Sequence, residues 1–191
     1  MTESRDTCGR AHALTVISPV RAPWALFLEP VFALAQAVPA LSRTARNLSF
    51  IHFAQWSLIR RIPVNGPPQH PEDLRYTHLL FASNFNGSWN QYIDAFSRIL
   101  TLGMKVFWGS SYGFPGPIPT EPFKKYIRRN EFVPDHYYSA YPAATVTMID
   151  SALSVEKEFR TLREIAADPD TTPEAFAASY RRFLTAVQRD L

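Results

Sequence analysis

Apolar and β-branched residues are grouped into short runs along this chain, which is the pattern of β-strands. Three runs predict strands at Ala13–Ser18, Ser49–Ile59 and Thr77–Phe85. The second run is largely apolar on both faces, which indicates a strand in the interior of a sheet. Two shorter runs, Met104–Trp108 and His136–Tyr141, predict two further strands.

Helices are predicted where apolar residues recur at steps of three and four. The first covers Ser88–Leu102 and has Ser88 and Gln91 at the spacing of a capping box. The second covers Thr145–Ala167. The last begins at Thr172, which is followed by a proline and an acidic residue, the usual residues of a helix start.

The segment Trp24–Arg46 has a helical pattern that two prolines interrupt. Pro30 and Pro39 each remove a backbone donor and clash with the preceding turn, so we expect two or three short helical pieces. A shorter segment, Phe123–Arg129, predicts one or two helical turns.

The order of these elements predicts the fold. The first six run strand, helix, strand, strand, helix, strand, which is the order of the ferredoxin-like split βαβ unit. Ser49–Ile59 and Thr77–Phe85 are joined only by the proline-rich loop 62–76, so we expect them to be antiparallel neighbours. The sequence therefore predicts an α+β fold: an antiparallel sheet with helices on one face and a C-terminal helical extension.

The same order predicts the domain organisation. Residues 1–11 are polar and are expected to be disordered. Residues 12–167 are expected to form the ferredoxin-like domain, and residues 168–191 a C-terminal helix packed on it or appended to it.

Composition argues against several classes of function. The net charge of +3 comes from dispersed charges, which does not predict nucleic-acid binding. Cys8 is the only cysteine, and the five histidines are scattered, so neither an intrachain disulfide nor a metal site is predicted. Phosphate-loop and dinucleotide-binding motifs do not occur. No cofactor is therefore predicted from motifs.

The lone cysteine and the polar residues 1–12, which show no secretory signal, predict a cytoplasmic protein. The apolar stretch Trp24–Leu41 contains Glu29 and two prolines, so we do not interpret it as a membrane span. Peripheral contact between this stretch and a membrane surface is the alternative.

Five side chains are candidate ligand-binding residues. Asn84 and Asn86 flank a strand-to-helix turn, where backbone donors favour an anionic or carbonyl group. His52 and Trp56 lie on a neighbouring apolar strand, and Tyr138 lies near the end of a predicted strand. A turn that tolerates positive φ and a buried, hydrogen-bonded histidine are the structural alternatives. Among aromatic side chains, His52 also suits a general base or an axial haem ligand, by analogy with barrel-type haem proteins.

Four segments carry a resemblance to a family of uncharacterised bacterial proteins. They are His52-Phe53-Ala54-Gln55-Trp56, the block Leu80 to Phe96 with Ser83-Asn84-Phe85-Asn86-Gly87-Ser88-Trp89 at its centre, Phe123-Lys124-Lys125-Tyr126-Ile127, and Tyr137-Tyr138-Ser139-Ala140-Tyr141-Pro142. The resemblance covers about residues 48–162. Gln55 stands where the family's strand motif has arginine. The resemblance implies a common fold and a site, without a known reaction.

Three functions are consistent with these features. The leading interpretation is a small-molecule-binding α+β protein with a pocket between the sheet and a covering loop. The second is an enzyme of the dimeric-barrel type, such as a haem- or oxygen-dependent oxidoreductase, which would be a homodimer. The third is a non-catalytic module that binds a membrane surface or a protein partner through Trp24–Leu41.

Overall fold

A computed structural model describes residues 6–37 and 48–190 of the chain. It has an α+β architecture and divides into two compact units, Met1–Ala143 and Ala144–Leu191. The first unit contains the sheet and four of the described helices, and the second is a pair of helices.

The sheet has four antiparallel strands and is open. They are β1 (Thr7–Cys8), β2 (Ala11–Pro19), β3 (Ile51–Ile62) and β4 (Glu72–Asn86), in the spatial order β1-β2-β4-β3. β4 pairs with β2 on one side and with β3 on the other. The predicted antiparallel pairing between the second and third predicted strands is therefore confirmed.

Six helices lie in the described part of the chain. They are α1 (Ala22–Ala37), α2 (Trp89–Ile99), α3 (Thr101–Trp108), α4 (Thr120–Asn130), α5 (Val146–Ala167) and α6 (Pro173–Val187). The predicted helices at α2, α4, α5 and α6 are confirmed. Among the described helices, none is both long and apolar enough to cross a membrane.

The core of the first unit lies on one face of the sheet. On β4 the buried side chains are alternate residues, and aromatic rings from α2 and α3 pack on them. Phe81 lies 4.9 Å from Trp108 and 5.7 Å from Phe96 between ring centroids. Tyr92 stacks on Phe85 at 4.1 Å. Helix packing thus covers the face that carries Phe81 and Phe85.

Two of the predicted strands are wrong. Met104–Trp108 is helical and forms most of α3, because Met104 and Trp108 are buried one helical turn apart while Val106 between them is exposed. His136–Tyr141 is irregular. In a strand these two tyrosines, Tyr138 and Tyr141, would point to opposite faces and one of them could pack on a core, but both are exposed. The edge of the sheet beside β2 is instead occupied by β1.

Two expectations near the N-terminus also differ from the structure. α1 continues through Pro30, where we predicted a break. Pro30 lies on the exposed side of α1, where water can bond the carbonyl that the missing N–H leaves free. The break predicted at Pro39 lies outside the described residues. Thr7 and Cys8 pair with β2 in the segment 1–11, which we expected to be disordered; residues 1–5 lie outside the described part.

The start of α2 has the predicted capping box. The backbone N–H of Gln91 donates to the Ser88 hydroxyl at 3.3 Å, and the backbone N–H of Ser88 donates to the Gln91 side chain at 3.3 Å. Gly87, just before the cap, has a φ of 92°, a value that favours glycine. The sequence Gly-Ser therefore sets both the turn and the helix start.

We expect Ser88→Ala to lower the free energy of unfolding by about 1 kcal/mol, because one of the first N–H groups of α2 loses its acceptor. Ser88→Gly is the matched control and should cost only a few tenths of a kcal/mol. Urea unfolding followed by circular dichroism measures both. Equal midpoints for the alanine variant and the unaltered protein would contradict a stabilising cap.

Candidate functional site

Asn84 and Asn86 lie at the end of β4, on the sheet face opposite the helices. The Asn84 side-chain amide donates a hydrogen bond to the Tyr137 hydroxyl. The Asn86 amide donates to the Arg10 carbonyl at 2.9 Å. Both amides therefore hold neighbouring segments of the chain against the sheet.

The Tyr137 hydroxyl lies in a partly buried setting beside Asn84. The pKa of Tyr137 is raised above its ordinary value. Burial is the main cause, and charge on the nearby Cys8 thiol adds to it, whereas the hydrogen bond with Asn84 opposes part of the shift. Cys8 lies on β1, which pairs with the start of β2. Sequence reasoning selected Tyr138 rather than Tyr137, and it did not select Cys8. Because residues 136–141 were interpreted as a strand, the sequence did not indicate that Tyr137 is the tyrosine that contacts the sheet.

The other predicted site residues lie elsewhere. Trp56 faces the helices, with its ring 4.9 Å from that of Phe81. The strand register pairs Trp56 with Phe81 and Phe53 with Asn84, so Trp56 and Asn84 lie on opposite faces of the sheet. Tyr138 is 74% exposed.

His52 lies at an irregularity of β3, between Ile51 and Phe53, where the strand register shifts. Its Nε2 atom is buried and has no hydrogen-bond partner among the described residues. Within residues 6–37 and 48–190, no group of three or more His, Cys, Asp or Glu side chains is placed to hold a metal ion. Of the five predicted residues, Asn84 and Asn86 lie together on one face of the sheet, and Trp56 lies on the other.

A network of polar contacts joins α2 to α4. The Trp89 indole donates to Glu131 at 3.1 Å, and Arg128 pairs with the same carboxylate at 2.8 Å. The Arg128 guanidinium also lies over the Trp89 ring, 3.7 Å from its centroid. Lys124 pairs with Asp94 at 2.9 Å. These contacts fix the two helices against each other.

The four segments that carry the resemblance are in contact with one another. The Ser83 hydroxyl donates to the carbonyl of Phe53 at 3.0 Å and accepts a hydrogen bond from Tyr92 at 3.0 Å. The central block also contacts the third segment through Lys124 and the fourth through Tyr137. The roles that the geometry assigns to these residues are mainly in holding the fold together.

An open cleft of about 380 Å³ lies between α1 and α3. The two helices pack through Phe32 and Phe107, whose ring centroids are 5.3 Å apart. The cleft walls are mainly apolar, and they are formed by Trp24, Phe27, Leu28, Val31, Lys105, Val106, Gly109 and Ser110.

Two polar side chains line this apolar cleft. Lys105 is exposed and forms no ion pair with any described residue. The Ser110 hydroxyl is buried and has no hydrogen-bond partner in the described part of the chain. Sequence reasoning missed this cleft because Met104–Trp108 was interpreted as a strand. In the sequence, only the apolar character of Trp24–Leu41 indicated an interaction site in this region.

A second depression, of about 730 Å³, lies at the end of the β3–β4 hairpin. Its walls include Arg61, Glu72 and Asp73, and Arg61 lies opposite Asp73 in the strand register. Charges of both signs line it, so it resembles an ordinary solvated loop end more than a binding site.

Comparisons with family models, with curated proteins and with solved structures find no match for this chain.

Proposed function

We propose that this chain is a binding protein for an amphiphilic small molecule, held in the cleft between α1 and α3. The observation that carries the proposal is the composition of that cleft: apolar walls with one ammonium group and one buried hydroxyl. Apolar sites with a few polar groups that fix orientation are typical of small-molecule binding.

The polar groups define the chemistry of the ligand. Lys105 carries three donors and a positive charge, which suits a carboxylate. Ser110 adds a second polar residue to the cleft wall, and its buried hydroxyl has no hydrogen-bond partner among the described residues. Trp24, Phe27 and Val31 of α1 offer an apolar surface to an alkyl chain. A long-chain carboxylate therefore matches both parts of the cleft.

We expect the protein to bind dodecanoate, measured by isothermal titration calorimetry below the micellar concentration. Val106→Trp should weaken binding by at least about tenfold, because the larger side chain fills the cleft. Val64→Trp is the matched control, since Val64 is 44% exposed and Val106 43% exposed, and Val64 lies in the β3–β4 loop and does not line the cleft. The control should bind as the unaltered protein does.

Lys105→Gln tests the headgroup separately. It should weaken the binding of dodecanoate and leave the binding of neutral dodecanol unchanged, because only the carboxylate contacts the ammonium group. Absence of dodecanoate binding by the unaltered protein, or equal weakening by Val64→Trp and Val106→Trp, would contradict the proposal.

We also infer that the sheet is a ferredoxin-like unit whose last strand is replaced. The elements β2, α1, β3, β4 and α2 follow in chain order, and β4 lies between β2 and β3 and is antiparallel to both. This chain order and strand order support the inference of a split βαβ unit. The edge position that a strand after α2 would occupy beside β2 is taken by β1.

A further inference from the structure

The solvent-facing side of α1 is apolar along the whole helix. At about 100° per residue, its outer side comprises the residues that lie opposite buried Ala25 and Leu28. These are Leu26, Phe27, Pro30, Ala33, Leu34 and Ala37, and all of them are exposed. Leu26 is 72% exposed, Phe27 61% and Leu34 59%. We name this set the outer face of α1.

This face reverses the usual pattern of a surface helix. A helix on a soluble domain normally turns its apolar stripe to the core and charged residues to water. In α1 the polar side chains, Glu29 and Gln36, lie along one flank instead. On α3, Val106 in the cleft wall and Leu102 one helical turn before it are exposed as well. A contiguous apolar surface of this kind marks a site of interaction.

Two basic residues adjoin α1. Arg21 precedes the helix and Lys105 lies across the cleft, and both are exposed. The one acidic side chain of α1, Glu29, is paired with Arg60. Residues 1–143 as a whole carry 14 Lys and Arg against 9 Asp and Glu, whereas residues 144–191 carry 6 against 8.

We propose that the outer face of α1 binds the surface of an anionic lipid bilayer. An apolar helical face flanked by basic residues is the pattern of helices that lie in the plane of the membrane interface. The opposite side of α1 is held against the protein by Ala25 and Leu28, so this helix can insert only its outer side. Trp24 is placed at the start of the helix, and tryptophan favours the headgroup region. The positive charge selects anionic lipid over neutral lipid.

The test is sedimentation of the full chain with vesicles of phosphatidylcholine, with and without phosphatidylserine. We expect the unaltered protein to sediment with the anionic vesicles, and to be released as salt screens the charges. Leu26→Gln with Leu34→Gln should lower the partition coefficient by at least about tenfold. Arg21→Gln with Lys105→Gln should lower binding to the anionic vesicles and reduce its dependence on salt.

The matched control is Leu153→Gln with Leu184→Gln on the helices of the second unit, where these leucines are 62% and 40% exposed. This control should sediment as the unaltered protein does. Circular dichroism confirms that each variant is folded. No sedimentation of the unaltered protein would overturn the proposal, and so would equal losses in the control. Loss of self-association, rather than of sedimentation, in the Leu26/Leu34 variant would assign the face to a second copy of the chain.

This proposal does not depend on the ligand proposed for the cleft. Leu26 and Leu34 do not line the cleft, so their variants should retain dodecanoate binding. Val106→Trp should lose dodecanoate binding, because Val106 lines the cleft. The two proposals can therefore fail separately.

Discussion

Trp108→Ala should lower the free energy of unfolding by about 3–5 kcal/mol, the usual cost of removing a large aromatic side chain from a core. Trp108 is completely buried, and its ring lies 4.9 Å from that of Phe81 and 6.1 Å from that of Trp56. Its removal would leave a cavity between α3 and the sheet, lined by aromatic rings that cannot collapse into it. Urea unfolding followed by far-ultraviolet circular dichroism measures the loss.

Trp24→Ala is the matched control for this prediction. Trp24 is also a helical tryptophan, but it is 55% exposed, so its removal creates no internal cavity. We expect it to change the free energy of unfolding by less than about 0.5 kcal/mol. Comparable losses in the two variants would mean that Trp108 does not belong to the core that the structure assigns to it.

The position of Trp108 shows where sequence reasoning was limited. Met104, Val106 and Trp108 are apolar at alternate positions, and this pattern fits a strand. A spacing of four between Met104 and Trp108 fits a helix equally well. Only the packing of both side chains on the sheet decides between the two, and that packing depends on residues such as Phe81, which lie far away in the chain.

Structural features that depend on residues close together in the sequence could be predicted from the sequence. The capping box depends on Ser88 and Gln91, three residues apart, and it is present as predicted. The pairing of β3 with β4 follows from a direct connection between two apolar strands, with no helix or strand between them. A cap and a direct connection depend on residues that are consecutive or nearly so in the chain, so a single sequence contains the information for them.

The candidate site was less predictable for the same reason. Asn84 and Asn86 follow from local sequence, but the partner of Asn84 is Tyr137, 53 residues further along the chain. The cleft between α1 and α3 also joins distant segments. Sequence reasoning did identify Trp24–Leu41 as unusually apolar. Which of its side chains face outward could be read only from the burial of Ala25 and Leu28.

Tyr92 makes the stability of the protein fall at alkaline pH. It is 1% exposed, and burial raises its pKa well above the ordinary value, although the hydrogen bond with Ser83 opposes part of this shift. The unfolded chain releases this proton above about pH 10, whereas the folded protein retains it. The unfolded state then binds fewer protons, so the free energy of unfolding decreases as pH rises. The decrease due to Tyr92 should be about 1.4 kcal/mol for each pH unit above 10.

Tyr92→Phe should remove this part of the pH dependence. Below about pH 9 we expect the variant to be less stable by about 1 kcal/mol, because the hydrogen bond with Ser83 is lost while Ser83 still donates to Phe53. Above about pH 11 the order of stability should reverse, since the variant has no phenol to ionise on unfolding. Tyr138→Phe is the control, because it removes the same hydroxyl from an exposed tyrosine that lies outside the core. If the free energies of unfolding of Tyr92→Phe and of the unaltered protein change in parallel between pH 8 and 12, burial does not hinder ionisation of the Tyr92 hydroxyl in the folded protein.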